Sequence, residues 1–281
     1  MEIDLHVHST ASDGTDAPGE VIALAAAAGL DAVALTDHDT TAGWAEAAEA
    51  ARRVGVILLP GAELSCHVGG TGVHVLAYLF DPRHPALLAQ IERTRADRTQ
   101  RARRMVRAIA RDYPLTWDDV LEQVEDGATV GRPHIADAMV AKGLAASRDE
   151  AFATVLHNRS PYYLPHYAQD ARRALGLIRA AGGVAVLAHP WAGRLSRRVG
   201  PEVIADLASA GLAGIEVDHP DQAEADRERL RALAGDLGLL VTGSSDYHGA
   251  GKSTPLGACT TAPEVFEAIV AAGHGSAVVR P

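Results

Sequence analysis

Polar and apolar residues alternate along Ile3-Asp4-Leu5-His6-Val7-His8, the two-residue period of a strand. Pro18 to Ala28 is Ala-rich, unbroken in apolar residues from Val21 on, and stops at Gly29, which predicts a helix. Asp31 to Thr36 predicts a buried strand, Thr41 to Val54 a helix, Val56 to Pro60 a third strand and Val73 to Phe80 a fourth. Gly69-Gly70-Thr71-Gly72 has the composition of a phosphate loop but precedes no helix, so it reads as a hairpin turn. Residues 84–160 then carry helix signals in place of strand signals. Thr116-x-x-Asp119 and Ser147-x-x-Glu150 have the form of capping boxes, Pro133 suits a first helical position, and Gly143 a helix stop.

The strand–helix rhythm resumes near residue 161. Strands are expected at Gly183 to Ala188, Gly214 to Val217 and Leu239 to Gly243, with helices at 170–181, 202–210 and 221–237. A short strand at Ser276 to Val279 would close the fold. Repeated βα units imply an α/β protein with a parallel sheet, open or closed into a barrel. The expected organisation is a discontinuous barrel, residues 1–83 and 161–281, carrying an all-helical insertion at 84–160 as a substrate cap.

Composition narrows the function. The chain has 281 residues, 47% of them hydrophobic, enough for a large core and against disorder. The apolar run Val21 to Leu30 ends at Asp31, short of the roughly 18 residues a membrane span needs. No basic leader opens the chain, and two cysteines, Cys66 and Cys259, make no disulfide framework, so a cytoplasmic location is expected. A net charge of −10 argues against wrapping long duplex nucleic acid, yet leaves room for a small anion at a local positive site. Nothing calls for an obligate protein partner.

Thirteen histidines are the unusual feature, and their positions matter more than their number. His6-x-His8 ends the first strand with both imidazoles on one face. His38 follows the second strand, Glu63 the third, His74 starts the fourth segment, His189 ends the fifth, and Asp246-x-His248 ends the seventh. That edge of a parallel sheet or barrel is where active sites assemble. Imidazoles and carboxylates without thiolates suit Zn²⁺, Mn²⁺ or Fe²⁺. These candidates are too many for one ion and enough for two or three. Glu63 can bridge two of them. No Ser or Cys nucleophile motif is visible, so water activated by the cations is the economical nucleophile. His219, after the sixth strand, is a candidate proton donor to the leaving group. Asp37 and Asp39 are candidates to orient imidazoles.

Asp4-Leu5-His6-Val7-His8-Ser9 with Ser12-Asp13-Gly14, Thr36-Asp37-His38, Gly61-Ala62-Glu63, Ala188-His189-Pro190 and Ser245-Asp246-Tyr247-His248-Gly249 resemble, in order, the motifs of the PHP (polymerase and histidinol phosphatase) superfamily. The resemblance implies a distorted (β/α)7 barrel and a trinuclear metal site. One ion would take His6, His8, Glu63 and Asp246; a second Glu63, His74 and His189; a third Asp13, His38 and His248. Members acting on histidinol phosphate usually carry a histidine and a nearby cysteine where this chain has Ala11-Ser12-Asp13-Gly14. The resemblance therefore points to the branch of nucleoside 3′,5′-bisphosphate phosphatases and short-RNA 5′–3′ exonucleases, which also carries a helical insertion.

The insertion holds the candidates for substrate recognition. Arg93 to Arg111 contains eight arginines and one acid. Helical periodicity sets Arg95 and Arg98 on the apolar face and Arg101 at its edge, with Arg104, Arg107 and Arg111 pointing away. A buried arginine needs an anionic partner, a structural carboxylate or a substrate phosphate. Arg132-Pro133-His134 opens a helix after Gly131, a place that favours anions. His67, His84, His157, His166 and His274 lie off the strand-end pattern and are expected at the surface. The expected activity is hydrolysis of a small phosphorylated nucleotide or short oligonucleotide. The alternatives are a histidinol-phosphate phosphatase and a non-catalytic metal-binding scaffold.

Overall fold

Every residue of β1 (Ile3–Val7) and β2 (Ala32–Leu35) is buried, as strands covered on both faces require. The computed structural model describes residues 1–193 and 198–281. Between and after these strands come α1 (Pro18–Ala27), α2 (Trp44–Val54), β3 (Ile57–Val68), β4 (Thr71–Tyr78), α3 (Pro85–Ile109), α4 (Trp117–Leu121), α5 (Arg132–Ala141) and α6 (Arg148–Thr154). The rest comprises β5 (Gln169–Asp170), α7 (Ala171–Ala180), β6 (Val184–Leu187), α8 (Pro201–Ser209), β7 (Gly214–Asp218), α9 (Glu224–Leu237), β8 (Leu240–Gly243) and α10 (Pro263–Ala272).

Seven strands run in the order β1-β2-β3-β4-β6-β7-β8, and the two-residue β5 pairs with β3 outside that path. The parallel order is interrupted at β4, which runs antiparallel to both β3 and β6, as the hairpin turn read at Gly69-Gly70-Thr71-Gly72 implies for β3. The cause is local. Val68 pairs with Thr71 across Gly69-Gly70, whose φ angles of 53° and 81° fit the tight hairpin turn that glycine alone adopts without strain. The chain returns beside itself where a crossover helix would have kept it parallel.

The barrel nearly closes between β1 and β8. Val7 bridges Tyr247, and His8 N–H donates to the Tyr247 carbonyl at 2.9 Å. The buried Asp4 carboxylate spans the same seam, accepting from the N–H groups of Ser245 at 3.0 Å and Gly257 at 2.9 Å. The expected strand at Ser276–Val279 is reduced to an antiparallel bridge from Val279 to Leu58.

Helices α3 to α6 sit between β4 and β5 with a core of their own, built on Met105, Ile109, Ile135, Met139 and Leu156. The start of α3 is rooted in the barrel, where Leu87 and Ile91 join the barrel's own cluster. Thr116 and Asp119 form the reciprocal box that caps α4. Ser147 caps α6, but the Glu150 carboxylate takes the Ala146 N–H instead of closing the box. Arg132 opens α5, so Pro133 is its second residue, not its first. Among the described residues, no helix is long and apolar enough to cross a membrane.

Candidate metal centre

All nine candidate ligands converge at one rim of the barrel. Alternation along β1 puts His6 and His8 on one face. Glu63 lies inside β3, because that strand runs on past the expected Pro60. His74 is near the start of β4, and it reaches the rim only because an antiparallel strand begins where its neighbours end. His189 and Asp246 follow β6 and β8 with φ of 26° and 53°, conformations that L residues rarely hold and that cluster at functional sites.

The donor atoms fall into overlapping groups: those of His38–Glu63–His74, of His6–His189–Glu216 and of His219–Asp221–Asp246 lie within 4.8 Å of one another, and three others follow the sets the resemblance implies. In the first, His6 Nε2 lies 3.0 Å from His8 Nε2, 3.2 Å from Glu63 Oε2 and 3.5 Å from Asp246 Oδ1. His8 Nε2 is 3.3 Å from each of those two carboxylate oxygens. An ion bonded tetrahedrally at ~2.0–2.1 Å spaces its ligands by about 3.3 Å, so this set fits one. In the second, Glu63 Oε1 is 2.7 Å from His74 Nδ1 and 3.1 Å from His189 Nε2. In the third, Asp13, His38 and His248 are joined by His8, their ligand atoms all within 4.8 Å of one another. The two oxygens of Glu63 thus face different groups. His189 Nδ1 is buried with no hydrogen-bond partner, and His38 Nδ1, 3.1 Å from Glu63 Oε2, is out of hydrogen-bonding line. The donor set itself, imidazole nitrogens and carboxylate oxygens without thiolates at these spacings, fits divalent cations. These groups constitute several candidate metal sites.

Buried charge explains the electrostatics. Burial, the largest influence on His8, would depress its pKa, but the bonds to Asp246 and Glu63 push it up to about 10. His6 is likewise raised against its burial by Glu216, Glu63 and Asp246. Burial alone would raise Glu63 and Asp13, yet the surrounding imidazoles hold both well below the usual carboxylate range. His6 and His8 offset the carboxylates as protonated imidazoles, whereas burial holds His38 well below its ordinary value. Divalent cations can replace those protons.

Two supporting carboxylates were not singled out or were misplaced by sequence. Glu216, inside β7, lies 3.0 Å from His6 Nδ1, accepts the Ser244 hydroxyl and takes the His189 N–H at 2.9 Å. Against burial, His6 leads the charges that bring it down to about 2. An acid in an otherwise apolar strand, Gly214-Ile215-Glu216-Val217, was the available signal. Asp39 does not orient an imidazole as expected. It binds Ser65 N and Oγ at 2.9 and 2.7 Å and Arg98 at 3.0 Å. Asp37 acts at one remove, holding Ser12 Oγ at 2.6 Å, which in turn lies 3.4 Å from His8 Nδ1.

A 240 Å³ cavity opens over the three groups, walled by Pro133, Arg148 and Phe152 of the insertion and by His219 and Lys252 of the barrel. Arg148 and Lys252 were not anticipated. Arg148 pairs with Asp137 and donates to the Asp13 carbonyl at 2.9 Å; Lys252 Nζ lies 2.7 Å from Asp246 Oδ2. His219 accepts the Asp221 N–H at Nδ1, which leaves its proton on Nε2, 3.2 Å from Asp246 Oδ2.

Arg98 is buried and Arg104, Arg107 and Arg111 are exposed, as the helical period predicts; Arg101, expected at the edge, is buried, and Arg95, expected on the apolar face, is half-buried. Arg98 donates to Asp39 and to Ser65 Oγ at 2.9 Å, and its Nε has no partner. Arg101 donates to the Leu164 carbonyl at 2.5 Å. Burial and the neighbouring charges of Arg132 and Arg98 bring it down to about 9. Arg132 donates to the Leu156 carbonyl and to Asn158 Oδ1. These three guanidiniums lie close enough to perturb one another, and Asp39 is the carboxylate hydrogen-bonded to the cluster through Arg98. His134 faces inward, where its Nδ1 accepts the Gly131 N–H and caps α5.

Comparison with known proteins agrees with this geometry. The PHP domain model matches residues 4–123. The chain is 36% identical to the 3′,5′-nucleoside bisphosphate phosphatase of Chromobacterium violaceum, over 89% of this chain and 88% of that one. It is 33% identical to a 5′-3′ exoribonuclease of Haemophilus influenzae, over 87% and 89%. It is 35% identical to the phosphoribosyl 1,2-cyclic phosphate 1,2-diphosphodiesterase of Eggerthella lenta, over 88% and 94%. A crystal structure assigned as a metal-dependent phosphoesterase of Bifidobacterium adolescentis superposes with a TM-score of 0.95 at 41% identity, covering 97% and 96% of the two chains. A nearly closed barrel with imidazole and carboxylate clusters on its rim, in this company, defines a metal-dependent phosphoesterase. The chain belongs to the PHP domain family.

Proposed function

We propose that the chain hydrolyses phosphate esters of nucleotides, with the 3′-phosphate of a nucleoside 3′,5′-bisphosphate as its preferred target. The observation that carries this reading is the meeting of the metal centre with the Arg98–Arg101–Arg132 cluster. Ser65 links the two: it bonds Arg98 and pairs across the hairpin with His74. One part suits the ester to be cut and the other a second phosphate. The names of the three relatives share a phosphate ester on ribose.

His6, His8, Glu63 and Asp246 would hold one ion, Glu63, His74 and His189 a second, and Asp13, His38 and His248 a third. Bound divalent cations would supply activation of water and neutralisation of phosphoryl oxygens. Glu216 fixes the His6 ring so that its Nε2 faces the other ligands. The three arginines anchor the distal phosphate, with forks that suit its oxygens. His134, occupied by its cap, sets the start of α5 and so the position of Arg132. His219 presents its Nε2–H on the cavity wall and is assigned to hydrogen-bond the leaving-group oxygen, whose proton comes from water. Residues 84–160 act as the cap that brings the arginines over the barrel.

Removal of nucleotides from the 5′ end of short oligoribonucleotides would use the same two parts, and the Haemophilus relative supports it as the second reading. The test is a panel of nucleoside 3′,5′-bisphosphate, 5′-phosphorylated di- to pentanucleotides, ribose cyclic phosphate, histidinol phosphate and p-nitrophenyl phosphate. The bisphosphate is expected to give the highest kcat/KM. Preference for histidinol phosphate, or turnover undiminished by exhaustive chelation, would overturn the reading.

A further inference from the structure

A second cavity, of 320 Å³, continues outward from the metal centre between the β3–β4 hairpin and the segment before β5. His74 belongs to both cavities. The register of the hairpin sets Ser65 opposite His74 and His67 opposite Gly72, so these four share one face with Glu63. That face is a ledge leading away from the ligands. At Gly72 a Cβ would meet nothing within 4 Å, so the missing side chain leaves an open step two residues beyond His74.

Tyr163 and His166 form the opposite wall. His166, expected at the surface, is half-buried. Burial and the charges of Arg98 and Arg101 bring its imidazole down to about 4, so it is an uncharged aromatic face. The Arg101 and Arg132 guanidiniums stand 5.2 and 5.4 Å from the Tyr163 ring centre, which ties this wall to the phosphate anchor. His67 Nδ1 is buried and unpartnered, a polar handle on the ledge. Two aromatic walls, a flat glycine step and an unused ring nitrogen beside an arginine cluster match the requirements of a heterocyclic base.

We propose that this cavity is a nucleobase site, with the base lying over Gly72 against Tyr163 and His166 while the arginines hold its 5′-phosphate. The inference rests on the nucleotide reading of the substrate and adds that the base itself is recognised. The metal-loaded protein is titrated by calorimetry with adenosine 5′-monophosphate and with ribose 5-phosphate, which keeps the phosphate and lacks the base. The nucleotide is expected to bind at least about tenfold tighter, in line with one base stacked on aromatic side chains. Gly72→Leu, which fills open space, and His166→Ala, which removes a wall, are each expected to erase most of that difference, with folding verified by circular dichroism. Equal binding of the two ligands to the parent protein, or an undiminished preference in both folded variants, would overturn the base site alone. Absence of any nucleotide hydrolysis across the panel would overturn the nucleotide reading beneath it.

Discussion

Glu216→Gln isolates the contribution of a side chain that touches no substrate. Glu216 Oε1 faces His6 Nδ1 at 3.0 Å and receives the Ser244 hydroxyl, while Oε2 receives the His189 N–H at 2.9 Å. Both oxygens must therefore accept. A glutamine of the same shape can place its oxygen on one side only. Its NH₂ then meets either the His6 ring N–H or the His189 N–H, leaving two donors face to face in a fully buried setting. A buried donor left unsatisfied costs about 1–3 kcal/mol, and loss of a carboxylate behind a metal-bound imidazole weakens metal affinity by ~10–100-fold. Because Glu216 supports both His6 and His189, the first two candidate ions should weaken together. Competition against a chromophoric chelator measures the affinity, and steady-state turnover measures the consequence. Metal affinity within twofold of the parent, with turnover retained, would refute the claim that this carboxylate sets the ligand geometry. Glu216 also lies within 4.8 Å of donor atoms of His6 and His189, but its Oε1 is engaged with one ring nitrogen of His6 while the other faces Glu63, His8 and Asp246.

Further expectations follow from other residues. Glu63→Ala removes the carboxylate that joins two groups and should bring turnover below detection with an unchanged far-UV spectrum; retained activity would remove Glu63 from the chemistry. Arg132→Ala should lower kcat/KM for bisphosphates by ~10–100-fold, the value of a charge-assisted bond, and that for p-nitrophenyl phosphate far less; equal losses would show that it reads no second phosphate. Burial pushes the Asp4 carboxyl from 3.8 up to about 6, against its hydrogen bonds to Ser245 and Gly257. Its contribution is thus fully present below the unfolded value and lost as pH rises through the folded one. The stability of the parent relative to Asp4→Asn should fall between about pH 4 and 6 in denaturant titrations; a constant difference would contradict the shift. Thr116→Ala removes the cap of α4 and should cost about 1 kcal/mol, lowering Tm by ~2–4 °C; an unchanged Tm would mean the cap does not limit stability.

Period and punctuation in the sequence were enough for most elements. The alternation at Ile3–Val7, the apolar strands near Val33, Val186 and Ile215, and the caps at Thr116 and Ser147 are all local, and each appears where local chemistry places it. The recurrence of His, Asp and Glu at strand ends carried the candidate site, because strands of a barrel deliver their ends to one rim whatever their distance along the chain. Helical period alone placed Arg98 on the buried face, but it set Arg101 only at the edge and put the half-buried Arg95 beside Arg98. What no local pattern could reveal was which partner each buried charge would find.

The sequence by itself therefore determined the α/β rhythm, the helical insertion and the identity of the residues at the rim. Tertiary structure alone decided that β4, returning from its hairpin, pairs with β6 on its other side and so carries His74 to that rim, and that Glu216 stands behind His6. It also decided that Arg98 bonds Asp39 while Arg148 and Lys252 wall the cavity. Propensity and period act over a few residues, whereas pairing of buried charge depends on which distant segments the closed barrel brings within 3 Å.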